Sequence, residues 1–171
     1  PIFKTALAEA EVEYEEHTSP AIYVRFPLTQ KSSAQLRGHV SGLDDKPIHV
    51  VIWTTTPWTL PANRAVCLHP NFIYGLIPLE NEYILIAKEL ADRFLQETGL
   101  SRTSELIGSF TGSELCSLQI EMIPPFSEKP VPLIYGTHVT LEQGTGAVHT
   151  APGHGHEDYL VGMNFNLEVF S

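Results

Sequence analysis

The sequence predicts an α+β domain: a β-barrel-like core of mixed sheet with a few peripheral helices. Three observations predict it. Short apolar, β-branched runs recur along the chain, punctuated by 12 Gly and 13 Pro, the residues that bound strands and turns. Only two stretches carry helical spacing, 88–98 and 156–163. The 171 residues are 43% hydrophobic and 18% charged, a balance that excludes a disordered tail. A chain of this length buries roughly 70% of its unfolded surface, so one domain over residues 1–171 is expected.

The elements follow in order. Ala8 to Glu15 alternates strictly, with Ala8, Ala10, Val12 and Tyr14 on one face and glutamates on the other. Ala and Glu favour helix, but the period of two predicts a half-buried strand. His17-Thr18-Ser19-Pro20 reads as a turn into a second strand at Ile22, Val24 and Phe26, completing a hairpin. Thr29 to Lys46 is polar and reads as a loop with at most one short strand. Ile48 to Thr54 is the strongest strand, and Pro57 and Pro61 stop regular structure after it. Strands are predicted at Ala65–Leu68, Phe72–Leu79 and Tyr83–Ala87, the last two joined by a turn at Glu80-Asn81-Glu82. Leu90, Phe94 and Leu95 make Lys88 to Thr98 a helix capped by Gly99. Short strands at Leu106–Phe110, Leu118–Ile123, Val131–Tyr135 and Gly146–Thr150 lead to a closing helix at His156–Met163. No internal repeat is present.

The charge excludes some classes. Ten Lys and Arg against 20 Asp and Glu give −10, which argues against gripping duplex nucleic acid through many phosphates but permits contact with a single-stranded end. No window approaches the ~20 apolar residues of a membrane helix, and no basic segment precedes an apolar one as in a signal peptide. Pro1-Ile2-Phe3-Lys4 reads as a domain excised from a larger chain. Cys67 and Cys116 form no spaced framework; they read as core filler in a reduced, intracellular protein.

Two segments could carry chemistry. In Trp53-Thr54-Thr55-Thr56-Pro57-Trp58-Thr59-Leu60-Pro61-Ala62-Asn63-Arg64, a strong strand ends in three threonines and breaks at a proline. Hydroxyls there can line a cleft mouth, and backbone N–H groups beyond Pro57 are expected to be free for a ligand. The plainer reading is a β-branched strand end with an ordinary turn. The second segment runs from Gly144 to Tyr159. Gly144, Gly146, Gly153 and Gly155 permit close backbone approach, and His149, His154, His156, Glu157 and Asp158 crowd together. His154-Gly155-His156-Glu157-Asp158 also fits the H-x-H-x-D spacing of some zinc hydrolases, but no downstream His is present to complete that site. Gly144-Thr145-Gly146 lacks the third glycine and the strand–helix context of a dinucleotide fingerprint.

Together, T-T-T-P-W-T-L-P-A-N at Thr54–Asn63, G-T-G-A-V-H-T-A-P-G-H-G at Gly144–Gly155 and E-D-Y at Glu157–Tyr159 resemble the editing domain of isoleucyl-tRNA synthetase, the insertion that splits a class I catalytic fold. The resemblance covers nearly the whole chain. Valyl and leucyl relatives carry Arg where Thr56 stands, which favours the isoleucyl branch. The nucleotide-binding signatures of amino-acid activation are absent.

The resemblance implies a synthetase editing-domain fold and hydrolysis of valine wrongly attached to the isoleucine tRNA, with valyl-adenylate as a second candidate substrate. A cavity built for isoleucine rejects a side chain one methylene smaller only weakly, so a second sieve is needed; this synthetase is itself the standard illustration of that limit. The implied partners are the valine-bearing 3′ end of the tRNA and the remaining domains of a parent synthetase, in cytoplasm or organelle matrix, with no membrane. No cofactor is expected for editing; ATP and Mg would serve the parent elsewhere. By the same resemblance, Asp158 anchors the substrate ammonium, a role a carboxylate suits. Thr54, Thr55, Thr56 and Thr59 meet the ribose hydroxyls, carbonyl and side chain, with Thr54 and Thr55 counted as catalytic. Asn63 orients water or the carbonyl. His149 excludes larger side chains and helps to orient water. The alternatives are a binding module without turnover and, less favoured, a zinc hydrolase using His154, His156 and Asp158.

Overall fold

The structure is a computed structural model that describes residues 12–15 and 21–151. The expected turn at 17–20, the start of the first strand and the closing helix lie outside the described residues. The fold is mixed α+β, and among the described residues the strands form two sheets rather than a closed cylinder.

The first sheet has six strands in the order β1-β2-β3-β6-β5-β7. These are β1 Val12–Glu15, β2 Ile22–Pro27, β3 Ile48–Thr54, β5 Ile73–Pro78, β6 Tyr83–Ala87 and β7 Ile107–Thr111. The hairpin β1–β2 is antiparallel, and β2 runs antiparallel to β3 from Ile22 opposite Thr54 to Pro27 opposite His49. β3 and β6 are parallel, paired from Ile48–Tyr83 to Val50–Leu85. The second sheet has the order β10-β4-β9-β8, with β4 Ala65–Leu68, β8 Glu121–Met122, β9 Val131–Tyr135 and β10 Ala147–Thr150.

The sheets share one core. Val24, Phe26, Val50, Ile52, Leu76 and Leu85 of the first sheet pack in a single cluster with Val66, Leu68, Leu133 and Ala147 of the second. On the opposite face of the first sheet, Tyr23, Val51, Ile77, Ile84 and Ile86 are covered by Ala91 and Phe94. Phe94 meets Tyr23 edge to face at 5.2 Å, a favoured aromatic geometry. β3 is thus buried on both faces, which is why its sequence is an almost continuous apolar run.

Helices fill the periphery. α1 (Gln30–Arg37) stands where a loop was expected. Thr29 caps it, its hydroxyl accepting from Ser32 N at 3.1 Å, while only Ser32 and Leu36 are buried. So narrow a buried stripe leaves little periodicity to see. A 3₁₀ turn at Lys88–Leu90 leads into α2 (Ala91–Thr98), which ends as expected on left-handed Gly99. α3 (Gly112–Ser117) was not expected. A capping box announces it: Thr111 and Glu114 cap each other's backbone. The expected strand Leu118–Ile123 shrinks to β8, because Leu118 caps α3 and Gln119 takes a positive φ of 57°. Among the described residues no helix is long and apolar enough to cross a membrane.

Candidate functional site

β3 and β6 part after Val50–Leu85. Beyond that point β3 continues to Thr54 and delivers Thr54, Thr55 and Thr56 to a cleft at the junction of the two sheets. The cleft has a volume of about 360 Å³. One wall is Trp53 to Thr56 with Thr59; the other is the chain from His138 through the Gly144–Gly146 turn into β10 as far as His149.

Pro57 does not end regular structure outright. Residues Pro57–Ala62 wind into a 3₁₀ helix with Pro57 in its first turn, where a missing N–H costs nothing. Two of the N–H groups expected to be free, those of Thr59 and Asn63, are therefore engaged. Thr56 N donates to Thr54 Oγ1 at 3.0 Å, Thr59 N to Thr56 O and Asn63 N to Leu60 O, both at 3.0 Å. What faces the cleft is hydroxyl: Thr55 and Thr56 are exposed, and Thr54 is buried against them.

Behind this wall lies a network joining three of the expected residues. The Thr59 hydroxyl donates its one proton to Thr56 O at 2.9 Å, so at 2.8 Å it accepts from His149 Nε2. Nε2 therefore carries the ring proton, leaving Nδ1 as acceptor. Asn63 Nδ2 supplies the matching donor at 2.6 Å and gives its other proton to Ala65 O at 3.0 Å. The Ala65 carbonyl fixes which end of the amide faces it, since two oxygens would repel. His149 is thus held with Nε2 as donor and Nδ1 as acceptor. Asn63 and His149 are 3% and 7% exposed, so the network is shielded. Asn63 Oδ1 has no hydrogen-bond partner among the described residues.

β10 brings His149 here by pairing antiparallel with β4, His149 opposite Val66. The approach depends on the Gly144–Gly146 turn. Gly146 has φ +80°, and a Cβ there would lie 2.6 Å from Ala87 Cβ, so only glycine fits. The Tyr74 hydroxyl donates to Gly146 O at 2.5 Å and accepts from His69 N at 3.0 Å. Burial pushes the Tyr74 phenol well above its ordinary range, keeping it a donor.

The structure therefore brings together Thr54, Thr55, Thr56, Thr59 and His149 on the cleft, with Asn63 behind His149. Asp158, and the zinc alternative's His154 and His156, lie outside the described residues. Among the described residues no group of three His, Cys, Asp or Glu could hold a metal. Cys67 is a buried core thiol, and burial pushes Cys116 up to about 12, so the Cys116 thiol is not activated. Trp53 and Thr145 stood inside the two candidate segments but carried no role in the sequence reading, whereas His138 on the cleft and Tyr74 behind the Gly146 turn lay outside both segments.

Comparison with known proteins now bears on this cleft. The chain is 50% identical to the isoleucine–tRNA ligase of Thioalkalivibrio sulfidiphilus over 96% of its own length, and 48% identical to that of Desulfovibrio desulfuricans over 98%. The chain matches one segment of the isoleucine–tRNA ligases. It spans 17% of the length of these relatives. Among solved structures it resembles the cytosolic leucyl-tRNA synthetase editing domain of P. knowlesi, with a TM-score of 0.72 at 12% identity over 94% of this chain and 65% of that one. It also resembles the crystal structure titled GlLeuRS-CP1, with a TM-score of 0.66 at 17% identity over 80% of this chain and 56% of that one. The chain thus has the fold of these two domains. No family model matches the chain.

Proposed function

We propose that this segment is the proofreading module of an isoleucyl-tRNA synthetase, hydrolysing valyl-tRNA(Ile) and, as a second substrate, valyl-adenylate. The observation that carries the reading is the hydroxyl-lined cleft closed by the Thr59–His149–Asn63 network, in a chain that matches isoleucine–tRNA ligases.

An aminoacyl ester is already reactive, so positioning and carbonyl polarisation are the catalyst's main tasks. Water attacks the ester carbonyl, and the ribose oxygen leaves and takes a proton. The threonine hydroxyls at the strand end offer neutral donors to the carbonyl and acceptors to the ribose. His149 has both ring nitrogens committed, Nε2 donating to Thr59 and Nδ1 accepting from Asn63. Held this way it is a poor general base; it acts as a rigid wall that limits side-chain size. Asp158 anchors the substrate ammonium from the segment that follows β10. The reaction needs no metal, and ATP and Mg serve the activation step elsewhere in the parent enzyme. The partners are the 3′ end of the tRNA and the other synthetase domains, in cytoplasm or organelle matrix.

The test is deacylation of isoleucine tRNA charged with valine or with isoleucine. The full-length protein should release valine and spare isoleucine, with no effect of chelator. Asp158→Ala should remove nearly all of the release. Valyl-tRNA that decays only at its rate in buffer would overturn the reading. Saturable binding of a valyl-adenosine analogue without turnover would instead favour a binding module, a reading suggested by the lack of an activated nucleophile pair among the described residues.

A further inference from the structure

Thr145 sits where β3 and β6 separate. Val51 is the first β3 residue past the last β3–β6 pair. The Thr145 hydroxyl donates to Val51 O at 2.6 Å and accepts from Ala147 N at 3.2 Å. The Thr145 carbonyl accepts from Ala87 N, at the end of β6, at 2.9 Å. One residue thus takes a backbone group from each diverging strand and fills the gap between them. Its side chain is 1% exposed, so these bonds are shielded from water. On the next residue the Tyr74 hydroxyl holds Gly146 O, fixing the same turn from β5.

The position matters because of what lies downstream. Three residues after Val51 comes Thr54, on one wall of the cleft. Four residues after Thr145 comes His149, on the other. The Val51–Thr145 bond therefore sets the offset between the two walls. We propose that Thr145 is a specificity-determining positioning residue: a wedge, seconded by Tyr74, that holds β3 away from β6 and fixes the width of the cleft between the threonines and His149. The selectivity it sets rests on the proofreading reading, whereas the wedge itself rests on the hydrogen bonds alone.

The experiment uses the full-length protein with Thr145→Val, Thr145→Ser and Tyr74→Phe. Valine is nearly isosteric with threonine but leaves the Val51 carbonyl and the Ala147 N–H without their partner; serine keeps the hydroxyl. Two quantities are read: the kcat/KM ratio of valyl-tRNA to isoleucyl-tRNA hydrolysis, and the imidazole ¹⁵N shifts of His149. Thr145→Val should lower the ratio at least about fourfold, the factor one buried methylene is worth. It should also move the His149 shifts away from the Nε2–H pattern. Thr145→Ser should restore both, and Tyr74→Phe should give a smaller change of the same kind. An unchanged ratio and unchanged shifts in Thr145→Val overturn the wedge, as does a serine variant as impaired as the valine one. If Thr145→Val does not fold, Tyr74→Phe decides, and wild-type behaviour there overturns the proposal. If the wild-type protein hydrolyses neither ester, the proofreading reading fails, while the ¹⁵N arm still tests the wedge.

Discussion

Asn63 has two amide protons, and both are committed: one to the Ala65 carbonyl that opens β4, the other to His149 Nδ1. The residue therefore joins chain geometry to ring tautomer. Asn63→Ala removes the donor that the amide gives to a buried carbonyl and to a buried ring nitrogen. Each such loss costs about 1–3 kcal/mol, and a smaller side chain lets water into only part of the gap. Urea unfolding should show the variant about 2 kcal/mol less stable, with His149 free to take the other tautomer. A stability within about 0.5 kcal/mol of wild type would mean that the bonds are incidental. The sequence motif named Asn63, Thr59 and His149 as separate contributors. It did not show that they touch, because His149 stands on β10 while Thr59 and Asn63 belong to the 3₁₀ helix and its cap, and their meeting follows from β4 pairing with β10.

At the level of elements, legibility followed burial. β3 was evident because both faces are buried and every position except His49 is apolar or β-branched. α1 was missed because its exposed residues, Gln30, Lys31, Ala34 and Gln35, read as loop, and the capping Thr29 was not weighed. α3 was missed although Thr111 and Glu114 stand three apart, the spacing of a capping box. One further element-scale feature is electrostatic. Arg25 on β2 makes two bonds to Glu82, at 2.8 and 2.6 Å, and His49 Nδ1 on β3 lies 2.8 Å from the same carboxylate. These ties fix the β2–β3 edge to the turn before β6. Burial by itself would raise the Glu82 pKa, but the adjacent His49 ring and the hydrogen-bonded Arg25 guanidinium outweigh it and hold the group down to about 2. A depressed carboxylate stabilises the fold above its unfolded pKa, near 4.5, and that contribution fades as pH falls toward 2. The wild-type protein should lose about 2 kcal/mol across this window. Glu82→Gln should already lack that stability at neutral pH and show a flatter acid limb in urea titrations. An equal slope in both proteins would place the acid sensitivity elsewhere.

For the whole molecule, charge and shape divide the work of recognition. The chain carries −10, yet its proposed substrate is the end of a polyanion. Favourable phosphate neutralisation releases counterions and makes log K fall steeply with log salt, with a slope of about −0.7 per phosphate on a single strand. A molecule with twice as many acids as bases has few cations to offer such a grip. What it offers instead is a cleft of about 360 Å³ whose lining includes the neutral hydroxyls of Thr54, Thr55, Thr56 and Thr59. On the proposed reading, affinity for the body of the tRNA comes from other domains, and this segment contributes selection rather than capture. The expected behaviour of the isolated segment is weak binding to whole tRNA, with a slope of magnitude below about 2 between 50 and 200 mM salt. A short aminoacyl-adenosine analogue should bind nearly as well as the tRNA, since both present the same end to the cleft. Fluorescence anisotropy with labelled tRNA, competed by the analogue, measures both. A tight complex with a steep slope that the analogue cannot displace would mean that the segment grips the backbone, and that charge, not the cleft, governs its contact with tRNA.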